Sequence, residues 1–152
     1  MKLAEALSLR ADTQKRIQQV RERLSRSARV QDGEKPPEDP QTLLEELDRL
    51  VANLRQLIQR INRTNAQTTM QNGETLTDAL AERDVLAIEN SVINSLIQSA
   101  SQNEHRYSRS EIKTMSTVNI ASLQKRSDDL SRRYRELDTA IQQANWTVDL
   151  VE

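Results

Sequence analysis

The sequence contains no cysteine, so disulfides, thiolate nucleophiles, thiolate-held zinc and iron–sulfur clusters are all excluded. Phenylalanine is also absent, and Trp146, Tyr107 and Tyr134 are the only aromatic residues. Any core must therefore be aliphatic, and base-stacking platforms of the kind that bind single-stranded nucleic acid have nothing to be built from. Glycine occurs twice and proline three times, so helix breakers are scarce. Two isolated glycines cannot form a phosphate cradle; neither GxxxxGK[ST] nor GxGxxG is present. No apolar run approaches the roughly 20 residues that span a bilayer. The first residues, Met1-Lys2-Leu3-Ala4-Glu5-Ala6-Leu7, lack the apolar stretch of a signal peptide. A cytoplasmic protein without membrane partners is the resulting expectation.

What remains is a chain of 152 residues, 36% apolar and 30% charged, with a net charge of −1. That balance suits long helices with much surface. The charge is uneven. Residues 1–30 carry eight basic and three acidic side chains, and residues 31–50 carry seven acidic and two basic ones. Antiparallel packing of the first two helices would keep these blocks partly apart, leaving each as a solvated face or as a complement to another chain.

Periodicity predicts four long amphipathic helices over about 2–29, 41–65, 78–100 and 120–144, arranged as a mainly α, antiparallel bundle in a single domain, 1–152. The first has a narrow stripe of Leu3, Ala6, Leu7, Ile17, Val20, Leu24 and Ala28, interrupted at Arg10, Thr13 and Gln14, and reads as an outer helix. Gly33 and Pro36-Pro37 break the chain. Asp39 then caps a helix whose first residue, Pro40, lacks an N–H that would be unpaired there anyway. The second helix has the clearest seam, Leu43, Leu47, Leu50, Leu54, Leu57 and Ile61, with Leu44, Val51 and Ile58 beside it.

Residues 67–76 combine Thr68, Thr69 and Thr75 with Asn72-Gly73, which suits a type I′ turn and predicts a short β-hairpin or tight loop. Extended chain near 105–118 would lie beside it. The third helix carries two apolar rows, Val85, Ile88, Val92, Leu96 and Leu86, Ile93, Ile97, Ala100, and so reads as the most buried. Asn90 and Asn94 either fix its register or face water, the second being preferred. Asn119 caps the fourth helix, whose seam runs Ile120, Leu123, Ser127, Leu130, Tyr134, Leu137, Ile141, Ala144. The tail around Trp146 is expected to dock.

Catalytic parts are missing. There is one histidine, and no serine sits in a strand–turn–helix nucleophile context that would pair with it. The chain is read as non-enzymatic and without cofactors. His105, with Glu104 and Glu111 nearby, is the weak candidate for a metal ligand, through a ring of equivalent histidines in an oligomer. Nucleic-acid contacts would need the basic first helix, or Arg106, Arg109 and Lys113 with Tyr107, and no recognition motif supports them.

Several blocks resemble a septicolysin-like family of uncharacterised bacterial helical proteins. They are Met1–Leu7 with Arg10-Ala11-Asp12, Arg60-Ile61-Asn62-Arg63-Thr64-Asn65, Leu76–Asp84, Arg106–Lys113, and Leu137-Asp138 with Asn145-Trp146. The resemblance implies a helical, oligomeric protein, and its name implies a cytolysin. The missing export signal, cysteine and membrane-inserting segment argue against a cytolysin. The polar blocks suggest either a structural hydrogen-bonded cluster or an anion- or small-ligand-binding site lined by Arg60, Arg63, Arg83, Arg106 and Arg109. The leading reading is a self-associating module, hexamer or dimer, buried against partner chains through its two-sided apolar helices.

Overall fold

The computed structural model describes residues 1–102 and 113–152. Among them the chain is mainly α, with four helices: α1 (Leu3–Ser27), α2 (Pro40–Gln67), α3 (Leu76–Ser101) and α4 (Ile120–Thr147). It divides into two compact units, one made of residues 1–76 and 142–152 and the other of residues 77–141. Leu76, the first residue of α3, and the last turns of α4 thus belong to the first unit.

In the first unit α1 packs along α2. The buried positions of α1 include Ala6, Thr13, Val20 and Ser27, a strict step of seven. Thr13 therefore belongs to the seam that it was expected to interrupt. Its hydroxyl is satisfied locally, donating to the Leu9 carbonyl at 2.8 Å. On α2 the seam is anchored by Leu43, Leu57, Ile61 and Thr64. The start of α2 is set as the sequence predicts: Asp39 accepts from the Gln41 N–H at 3.2 Å and from the Thr42 hydroxyl at 3.0 Å.

The acidic and basic blocks do meet within the chain. Arg23 donates to both oxygens of Glu38, at 2.6 and 2.9 Å, and reaches Glu46 at 3.2 Å. The fork geometry of a guanidinium explains how one arginine joins the connector to α2. Hydrogen bonding from Arg23, reinforced by its charge, holds the Glu38 carboxyl below the usual range. The same contacts raise the Arg23 pKa, most through the Glu38 hydrogen bond.

The predicted β-hairpin at 67–76 is not formed. Helix α2 continues to Gln67, and a single isolated bridge, Thr69 with Thr75, spans the turn. Gly73 lies at φ 88°, whereas no other residue type has positive φ among the described residues, so the Asn72-Gly73 pair is not a type I′ turn. The Gly73 N–H donates to the Met70 carbonyl at 2.9 Å and the Met70 N–H to the Glu74 carbonyl at 2.7 Å. This is a three-residue turn ending in a left-handed glycine. The backbone on either side is claimed by helix ends, because the Thr68 N–H closes α2 on the Thr64 carbonyl at 2.9 Å. No ladder has room to grow. Residues 113–118 form no strand, and the remainder of the expected extended region, 105–112, lies outside the described residues.

In the second unit Leu86, Ile93 and Ile97 of α3 form a core with Leu130 of α4, with Ile120, Leu123, Tyr134 and Leu137 packed around it. Polar contacts follow the same face. Arg83 meets Asp138 at 2.9 Å, Asn90 donates to Ser131 at 3.1 Å and Glu89 accepts from Arg126 at 2.6 Å. The buried Ser127 hydroxyl lies between two amide oxygens, 3.0 Å from Asn90 and 2.8 Å from Asn94. The asparagines thus contact the one polar slot in the α4 seam rather than only water. Asn119 caps α4 by accepting from the Ser122 N–H at 3.0 Å.

Only one of the two apolar rows of α3 enters this core. Val85, Ile88 and Val92 are exposed, so α3 is not the most buried helix within the chain. An isolated pair with α4 covers one stripe of a helix, and the second stripe is left to solvent.

Candidate functional site

Of the five arginines expected to line one site, three lie among the described residues, Arg60 and Arg63 in the first unit and Arg83 in the second. Arg60 and Arg63 are one turn apart on α2, and both face the C-terminal segment. The Arg60 Nε donates to the Val151 carbonyl at 2.9 Å, and Arg63 reaches the Glu152 carbonyl at 3.4 Å. Thr64, next to Arg63, is buried, donating to the Arg60 carbonyl at 2.8 Å and accepting from the Val151 N–H at 3.1 Å.

The other edge of the same segment is held by the N-terminus. The Leu3 N–H donates to the Val148 carbonyl at 3.0 Å and the Leu150 N–H to the Met1 carbonyl at 2.9 Å. Lys2 bonds the Thr147 carbonyl at 3.0 Å and pairs with Asp149 at 2.9 Å, which lowers the Asp149 pKa, first through the hydrogen bond and then through charge. The segment 147–152 is therefore stitched on two sides, and Arg60 and Arg63 serve that stitching. Its docking leaves Trp146 outside, exposed.

Arg83 belongs to the second unit and is paired there with Asp138, with Asp84 at 3.8 Å. Arg106, Arg109 and His105 lie outside the described residues. No group of three or more His, Asp or Glu side chains that could hold a metal ion occurs among the described residues. A cleft of about 360 Å³ lies beside Leu86, Asn90, Asn94, Ser131, Tyr134 and Arg135. It is open and offers one cation and several hydroxyl and amide groups.

The feature that stands out chemically is the outer row of α3. Val85, Ile88, Val92 and Leu96 are 60%, 64%, 60% and 38% exposed. With the exposed Ala81, Val85, Ile88 and Val92 make steps of four, three and four, the spacing of a helix–helix seam, and Leu96 flanks it. Single exposed apolar residues are ordinary, but a row at seam spacing is not. Exposed Leu44 and Val51 on α2 form a shorter row of the same kind in the first unit. The α3 row is visible in the sequence, but periodicity does not say which chain supplies the cover. No helix is long and apolar enough to cross a membrane among the described residues.

Comparison with known proteins places these features in a family. Residues 10–150 match the model of a family of unknown function, DUF6847. The crystal structure of a functionally unknown conserved protein from Corynebacterium diphtheriae is similar to this chain at a TM-score of 0.94 and 39% identity, covering 99% of each chain. No curated protein matches. These findings overturn the septicolysin-like resemblance, since neither the matching family nor the similar structure carries that description. The chain belongs to the family of unknown function DUF6847.

Proposed function

We propose that the protein is a self-associating helical module, non-catalytic, in which the outer row of α3 is the contact surface. The observation that carries this reading is the exposure of Val85, Ile88 and Val92 at seam spacing on one helix. Burying such a row against another chain removes apolar surface from water without any rearrangement of the α3–α4 core. We read each unit as built on an antiparallel helix pair. In support, Arg83 pairs with Asp138 while Asn94 pairs with Ser127, and Arg23 near the end of α1 pairs with Glu46 near the start of α2.

Anion binding by the arginines draws no support from Arg60 and Arg63, whose described contacts are backbone carbonyls. Sedimentation velocity over a micromolar concentration range tests the self-association reading. An oligomer that dissociates on dilution is expected, and a monomer at every concentration refutes it.

A further inference from the structure

We propose that the partner of the α3 row is the α3 row of a second copy, docked antiparallel about a two-fold axis level with Asn90. This rests on the self-association reading and adds the partner, its direction and its register.

The seam has a narrow apolar centre. Ala81, Val85, Ile88 and Val92 are followed at the same spacing by Ser95 and Ser99, all exposed. Large side chains therefore occupy the middle, and small ones the ends. A second helix of the same kind can set its large centre on this one and its small ends on the small ends. In an antiparallel pair centred between Ile88 and Val92, Ile88 lies against the partner's Val92, Val85 against the partner's Ser95 and Ala81 against the partner's Ser99.

Charge selects the direction. The first half of α3 carries Glu82, Asp84 and Glu89 beside the seam, whereas residues 90–101 carry no charge. Arg83, the one basic residue of α3, is directed to Asp138 at 2.9 Å and lies 3.8 Å from Asp84. In a parallel pair, the residue preceding one seam position faces the residue following the next on the partner. That would set Asp84 against the partner's Glu89 on both sides of the seam. Antiparallel docking keeps one like-charge approach, Glu89 to its own copy beside the axis, in place of the two of a parallel pair, and sets the rest of each acidic half against an uncharged half. Glu89, nearest the axis, already has a cation in its own chain, Arg126 at 2.6 Å.

The absence of cysteine makes the test clean. Tagged Ile88→Cys and untagged Val92→Cys chains are mixed, refolded together from urea and oxidised. The expected result is a cross-linked dimer containing one chain of each kind, lost when either variant is oxidised alone. The cross-link requires the two Cα atoms to approach within about 7 Å, which the antiparallel register provides only for the mixed pair. If Ile88→Cys cross-links to itself as readily, the copies are parallel and the inference is overturned while self-association stands. If neither sample cross-links although the unmodified chain sediments as an oligomer, another surface is used, and again only the inference falls. A monomeric unmodified chain overturns both.

Discussion

Replacing Ile88 by alanine has opposite signs in a monomer and in an assembly. In a monomer the side chain is 64% exposed, so little burial is lost. Alanine is also the better helix former, by a few tenths of a kcal/mol. Folding stability measured at high dilution should therefore rise slightly or stay level. In the assembly the remaining exposed part of the side chain is covered by the partner. Full burial of an isoleucine contributes about 1.5–3 kcal/mol, so the uncovered share corresponds to about 1–2 kcal/mol per chain. A two-fold interface repeats the change on both chains, about 2–4 kcal/mol in total, which raises the dimer Kd roughly 30- to 700-fold. Sedimentation equilibrium at several loading concentrations measures the Kd, and urea unfolding of the dilute protein measures the monomer term. An unchanged Kd in a folded variant would refute the assignment of the α3 row as the contact surface.

Three further outcomes follow from the first unit. Thr64→Val keeps the shape but leaves the Val151 N–H without its acceptor, and a loss of about 1–3 kcal/mol is expected in urea denaturation; an unaffected midpoint would mean that the tail does not depend on this bond. Ser27 is buried, and its hydroxyl has no hydrogen-bond partner among the described residues, so Ser27→Ala should be neutral or stabilising by up to about 1 kcal/mol; clear destabilisation would show a missed partner. Glu38 has a depressed folded-state pKa because Arg23 bonds its carboxylate. Its contribution is present above the ordinary glutamate pKa and is lost as pH falls through the lower folded value. Acid titration followed by NMR should show Glu38 protonating below the exposed glutamates, and the shift should vanish in Arg23→Gln.

The helices and their starts were legible because they depend on residues a few positions apart. Asp39-Pro40 and Asn119 cap as read, since a side-chain acceptor and a fixed φ act within one turn. Errors arose where a local preference competed with a neighbour. Asn72-Gly73 prefers a hairpin in isolation, yet α2 runs on to Gln67 and α3 begins at Leu76, which leaves room for a single bridge. The contacts of Arg60 and Arg63 were not legible for a similar reason. Arg60 and Arg63 are exposed-type residues on a helix end, and nothing local reveals that the segment 91 positions after Arg60 comes back to occupy it.

By itself the sequence determined that the protein is helical, aliphatic in its core and without thiol chemistry, since composition and spacing set those properties residue by residue. It also determined that α3 has two apolar rows. Only the tertiary structure decided which row the chain buries. Leu86, Ile93 and Ile97 face α4, where Leu130 matches them and Ser127 meets Asn90 and Asn94. Two rows of similar hydrophobicity are nearly equivalent in transfer free energy. The choice between them rests on the complementary polar slot that α4 presents, and it leaves Val85, Ile88 and Val92 facing outward.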